Sequence, residues 1–178
     1  SCDYTEGRVT IADASFRLVD RQAPGRFEPL VARGASLTLV DNIINAVAEL
    51  RNPQSDRGVT TADIRHDLGT GDGRADLRVV GLQFDDRLQP ENVSQLARGV
   101  IANARGIISG TGRIRWTSSG EVKSTGRFSS DDLDFAAAFG PVKGASGTVV
   151  FTDLLGLTTA PDQTIRVASV NPGIEVTD

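Results

Sequence analysis

His66 is the single histidine of this 178-residue chain, and it falls on the apolar side of an alternating run beside Ile64. A catalytic triad or a metal centre would have to be assembled around it alone, so a hydrogen-bonded or solvent-facing hairpin histidine is the plainer reading. Gly144-Ala145-Ser146-Gly147 is not a Gly-x-Ser-x-Gly elbow and lacks the strand–turn–helix surroundings of one. Gly69-Thr70-Gly71-Asp72-Gly73 and Gly110-Thr111-Gly112 do not complete a dinucleotide fingerprint, and no helix follows either to receive a phosphate. They read as turn and close-packing glycines. Asp131, Asp132 and Asp134 offer oxygens for calcium, which needs about six to eight of them converging on one point. Alternation sends Asp132 and Asp134 to the outer face and leaves Asp131 near a turn, the pattern of a solvated strand edge. A paired-carboxylate glycosidase wants aromatic sugar platforms, and one Trp and one Tyr supply few. The lone Cys2 excludes an internal disulfide and a cysteine-based metal site. It reads as a cloning remnant, a lipid-attachment cysteine or an ordinary thiol. These side chains predict no enzyme, no metal and no cofactor.

The elements that would carry them are strands. Ile108, Gly110, Gly112, Ile114 and Trp116 alternate with Ser109, Thr111, Arg113, Arg115 and Thr117. Successive side chains of a strand point to opposite faces, which makes one face apolar or small and the other wet. After the Ser118-Ser119-Gly120 turn, Val122, Ser124, Gly126 and Phe128 continue the apolar face, and Leu133, Phe135, Ala137 and Phe139 follow. Upstream, Val9 and Ile11, then Phe16 and Leu18, mark two candidate strands, and Leu37 and Leu39 begin another. Ile43–Leu50 satisfies helical and strand periods alike. The turn-rich Asn52–Gly58 connection and the period-two run Thr60, Ala62, Ile64, His66, Leu68 favour a hairpin. Ala75, Leu77 and Val79 alternate next.

A single helix is predicted, over about residues 90–103. Pro90 suits a first turn, Glu91 suits a helix N-terminus, and Val93, Leu96, Ala97, Val100, Ile101 and Ala104 fall at helical spacing. After the meander come Thr148–Thr152, Thr164–Val170 and Ile174–Val176. The chain thus divides into hairpins over 1–88, a helix over 90–103 and a meander over 106–178, all one segment. The fold class is mainly β: an extended, twisted antiparallel sheet folded into an open groove.

Composition fits that reading. Aromatics are only 5% and glycines number 19, which suits many turns around a modest interior. A net charge of −4, with no window dense in Lys or Arg, leaves no footprint for a polyphosphate partner, and nucleic acid is not expected. No apolar run approaches the ~18 residues of a membrane-spanning helix. Ser1-Cys2-Asp3-Tyr4 at the start and Asp178 after a strand-like run at the end read as the cut edges of a longer exported chain. One helix cannot cover a one-sided sheet of this extent. Its apolar face must be closed by the sheet itself, by another part of a longer chain, or by a ligand.

Several linked motifs carry a resemblance. Ile108-Ser109-Gly110-Thr111-Gly112-Arg113-Ile114-Arg115-Trp116, Ser124-Thr125-Gly126-Arg127-Phe128-Ser129 and Leu133–Gly144 are joined by Gly147-Thr148-Val149-Val150-Phe151-Thr152-Asp153-Leu154-Leu155 and Val170-Asn171-Pro172-Gly173-Ile174. Together they resemble the C-terminal region of YdbH-type proteins, members of the AsmA-like superfamily of Gram-negative envelope proteins. The resemblance is strong from about Gly106 onward and weaker before it. It implies a periplasmic segment of a protein anchored in the inner membrane by an N-terminal helix absent here. It also implies an apolar β-groove carrying phospholipid between the membranes, and a small outer-membrane lipoprotein as partner at the C-terminal end. The family's older dicarboxylate-transport label finds no support in these residues.

On that reading, Ile108, Ile114, Trp116, Val122, Phe128, Leu133, Phe135, Phe139 and Phe151 are the lipid-groove candidates. Composition alone would make the bulky ones an ordinary core; the resemblance implies that some line a lipid path. The alternative is a non-enzymatic interaction module whose sheet closes internally and whose free edge accepts a partner strand.

Overall fold

The computed structural model describes residues 1–171, so the strand expected at Ile174–Val176 lies outside the described residues. Within them the chain forms one antiparallel sheet, its strands paired in chain order from β1 to β10. These are β1 (Cys2–Thr5), β2 (Arg8–Leu18), β3 (Leu30–Val40), β4 (Ile43–Arg51), β5 (Gly58–Asp67), β6 (Gly73–Phe84), β7 (Ala102–Trp116), β8 (Val122–Ala137), β9 (Gly140–Asp153) and the two-residue β10 (Thr158–Thr159). A second two-residue strand, β11 (Ser169–Val170), also lies on β9. The sheet is mainly β and open, as the alternation predicts.

Bulges lengthen and bend the strands that the sequence cuts short. The two strands expected at Val9–Ile11 and Phe16–Leu18 are one, β2, with register shifts between Ile11 and Phe16. Leu37 and Leu39 lie near the end of β3, not its beginning. Facing the β2 bulge, Gly34 adopts φ 67° inside β3, and Gly81 adopts φ 64° where β6 shifts register between Val79 and Leu82. Such left-handed positions suit glycine, and each bulge adds local twist and bend. The 122–128 and 133–139 runs likewise fuse into β8, again through a register shift.

The expected helix at 90–103 is absent. Residues 85–101 contain two three-residue 3-10 turns, Pro90–Asn92 and Gln95–Ala97, separated by Ser94 in extended conformation. The cause lies outside the segment. The loop between β2 and β3 pairs with it like a strand, Glu28 N–H donating to Val93 O at 2.9 Å and Gln95 N–H to Arg26 O at 2.9 Å. Asn52 Nδ2 donates to Asn92 O at 3.2 Å. With those groups engaged, a continuous i→i−4 ladder cannot form. Val93, Ala97 and Ile101 still face inward, whereas Leu96 and Val100 of the same apparent stripe are exposed.

This segment seals one end of the folded sheet. Leu30, Ala32, Ala48 and Leu50 from β3 and β4 share a single core cluster with Val79, Leu82 and Phe84 of β6, Ala104 of β7 and Leu88 of the connection. The cluster runs from strand to strand through Val59 and Ala62 of β5, and the connection, hydrogen-bonded to the β2–β3 loop, bridges its two ends. Leu88 has no exposed surface. The connection is fastened at three further places: Arg57 forks onto Asp85 at 2.8 and 3.0 Å, Gln89 exchanges two bonds with Ala104 at 2.8 and 2.9 Å, and Arg98 meets Glu28 at 3.2 Å.

Candidate apolar groove

Register decides which side chains share a face. Val9, Leu39, Ile44, His66, Gly73, Trp116 and Val122 form one cross-strand row, and Ile11, Leu37, Ala46, Ile64, Ala75, Ile114 and Ser124 form the next. A third row runs Ala48, Ala62, Leu77, Gly112, Gly126, Phe151. The apolar strip therefore crosses the sheet from β2 to β9. Its first half was legible in the alternation of β2 to β6, yet the candidates drawn from the resemblance all lie downstream of residue 106.

The structure divides those candidates. Ile108, Phe128, Leu133 and Phe135 pack against the sealed core, and Phe128 meets Phe151 edge-to-face with centroids 6.0 Å apart. Ile114 and Trp116 are half-buried in the two rows nearest the opposite end, where Val122 is 41% exposed. Phe139 sits in the turn between β8 and β9, 58% exposed, and does not join the strip. It continues the alternation in sequence, but the hairpin reverses at Ala138–Phe139 before the side chain reaches the sheet face.

Burial thus grades along the strip. Leu50 and Phe84 at the sealed end are 3% and 7% exposed, whereas Val9, Leu39, Ile44, His66 and Trp116 at the other end are all partly exposed. His66 Nδ1 accepts a hydrogen bond from Trp116 Nε1–H at 3.1 Å, and the rings stack 6.0 Å apart. Gly73 lies under the indole, which a methyl group there would overlap. The one histidine is a hydrogen-bonded element of the wall.

Midway along, a flap covers the strip. Ser124, 4% exposed, donates from Oγ to Asp153 Oδ1 at 2.8 Å and accepts from Leu155 N–H at 3.0 Å. This holds the 153–157 turn so that Leu154 lies over Gly112 and Gly126; a Cβ on Gly112 would stand 2.7 Å from Leu154 Cδ2. The glycine-rich rows make room for this leucine. Of the acidic trio, Asp134 bonds Lys143 at 3.1 Å and Gly144 N–H at 2.9 Å, which hold its carboxyl below the usual range, while Asp131 and Asp132 are exposed.

No buried side-chain nitrogen or oxygen among the described residues lacks a hydrogen-bond partner. What the strip presents is mainly apolar area. A family profile described as the YdbH-like intermembrane phospholipid transport protein matches residues 3–178. The chain belongs to the YdbH-like family. No curated protein and no solved structure matches. Family membership makes intermembrane phospholipid transport the activity to be explained and the cell envelope its place. Among the described residues, no helix is long and apolar enough to cross a membrane.

Proposed function

We propose that this chain is one segment of an inner-membrane-anchored periplasmic bridge, and that its apolar strip shields phospholipid acyl chains as they pass between the membranes. The observation that carries this reading is the graded strip itself: continuous across β2 to β9, sealed at one end, and half-exposed around Ile44, Ile64, Ile114 and Trp116 at the other. Burying an acyl chain there draws on the hydrophobic effect, about 25 cal/mol for each Å² removed from water. With no directed polar contact required, selectivity among acyl chains is loose and transfer involves no covalent step.

The test is native mass spectrometry with lipid extraction on protein purified from a bacterial envelope. Wild type carries phospholipid; Ile114→Asp, which places a charge on the half-exposed stretch, loses it while keeping its β circular dichroism. A folded wild type free of lipid would overturn the reading.

A second reading concerns the far edge. The tail lies along β9 at β10, at Val150 through Ala160 and Gln163, at the Ser146–Arg166 bridge and at β11, leaving the pairing along that edge interrupted around Thr148. An interrupted edge suits addition of a strand from a small outer-membrane lipoprotein. Site-specific crosslinking from Thr148 and Lys143 tests it: capture of that lipoprotein supports the reading, and crosslinks confined to the chain's own tail oppose it.

A further inference from the structure

The outer face of the same sheet holds a feature that no stretch of sequence displays. Arg65 of β5, Arg74 of β6, Arg115 of β7 and Lys123 of β8 stand directly opposite one another in register, a row of four cations across four strands. At the strand spacing of ~4.8 Å it spans roughly 14 Å. Like charges placed opposite on neighbouring strands oppose sheet formation. Alternate members are relieved: Arg74 reaches Asp76 at 3.4 Å and Lys123 reaches Glu121 at 3.2 Å, whereas Arg65 and Arg115 have no ion pair among the described residues. Two rows further along, Arg78 and Arg127 flank Thr111, likewise without ion pairs among the described residues. These two line an open dish of about 1050 Å³ with Arg113 and the carboxylates Asp63 and Asp76 of the row between, beside threonine hydroxyls and the apolar side chains of Val47, Val150 and Phe151. Asp76 is engaged by Arg74 and Arg113, so cations outnumber carboxylates across the three rows.

We infer that this face docks on the surface of an anionic phospholipid bilayer. Charge complementarity selects the occupant. The three rows carry no aromatic ring on which a nucleobase could stack, and their apolar members, Val47 and Val150, are smaller than the aromatic anchors that centre protein interfaces. Exposed guanidinium and ammonium groups on flexible stems match a fluid layer of phosphates, which asks for charge and bidentate donors without a fixed shape. Arg65 and Arg115 are the sequence neighbours of His66 and Trp116, whose side chains take the opposite face, so docking leaves the apolar strip turned away from the headgroups and open.

This goes beyond the groove reading and is tested separately, by co-sedimentation of the purified protein with vesicles. Phosphatidylcholine vesicles are compared with vesicles that also contain phosphatidylglycerol, at low and high salt. Wild type partitions onto the anionic vesicles, and salt releases it. The double variant Arg65→Gln/Arg115→Gln removes two unpaired charges without orphaning a partner, and its partition coefficient falls about 25-fold, at roughly fivefold per charge. Its melting temperature does not fall, because repulsion within the row is relieved; a merely structural row would show the reverse. The same variant keeps its co-purifying lipid, and Ile114→Asp keeps vesicle docking, so failure of one proposal is distinguishable from failure of the other. Wild type that binds both vesicle types equally or neither, or a double variant that binds as wild type does, overturns the inference.

Discussion

Replacing Asn52 by alanine tests whether the 85–101 connection is a fastened cap or a passive loop. Asn52 is 1% exposed and makes four side-chain bonds. Its Oδ1 accepts from Gln54 N–H, Ser55 N–H and Ser55 Oγ–H at 3.2, 2.8 and 2.9 Å, and its Nδ2 donates to Asn92 O at 3.2 Å. The first three shape the turn between β4 and β5; the fourth crosses 40 residues of sequence to the cap. A net hydrogen bond contributes about 1 kcal/mol, and a buried group left unpaired costs about 1–3 kcal/mol. Water can reach the turn amides once the side chain is gone, so the expected loss is about 3 kcal/mol. For a chain of this length that lowers the melting temperature by roughly 6–12 °C. The assay is urea denaturation followed by circular dichroism, with Asn45→Ala on the exposed face as a control expected within about 0.5 kcal/mol of wild type. Limited proteolysis should show new cleavage between residues 85 and 101 before any global loss of structure. A loss below about 1 kcal/mol with unchanged proteolysis would refute the view that this asparagine holds the cap in place.

Leu88→Ala, at a site with no exposed surface, is expected to cost about 2–5 kcal/mol, read from the denaturation midpoint. Gly73→Ala pushes a methyl group into the Trp116 indole; overpacking of this kind costs about 1–3 kcal/mol. Because Trp116 is the sole tryptophan, its fluorescence should shift to the red as the bond to His66 is lost. Acid should loosen the β2–β3 loop. The Arg26 guanidinium, 2.9 Å away, holds the Asp20 carboxyl down to about 2 from 3.8. A depressed folded-state value means stabilisation fully present above about pH 4 and lost as pH falls toward 2. The contribution is of order 1 kcal/mol after solvent screening, and Asp20→Asn should flatten that limb of the pH–stability curve. Ser124→Ala frees the 153–157 flap, which hydrogen exchange at the Leu155 amide will report as lost protection.

Local sequence determined the strands and their two faces. Alternation is a property of neighbouring residues, and it survives in Ile108 to Trp116, in Thr60 to His66 and in Ala75 to Val79 whatever lies across from them. The ambiguous Ile43–Leu50 run resolved correctly as β4 because turn chemistry on its flank is local too. Tertiary structure decided the rest. Residues 90–103 have helical spacing, but Arg26–Glu28 and Asn52 claim their backbone groups from far away in the chain, and no window of sequence contains that competition. Phe139 keeps the period of β8 yet falls in a reversal, so identity and spacing alone assign it to a face it never joins. Leu154 lies on Gly112 and Gly126 through a hydrogen bond at Ser124 that links positions some thirty residues apart. Arg65, Arg74, Arg115 and Lys123 are scattered singly through a chain of net charge −4, and only register gathers them. Periodicity specifies which way a side chain points; pairing across the sheet specifies what it points beside.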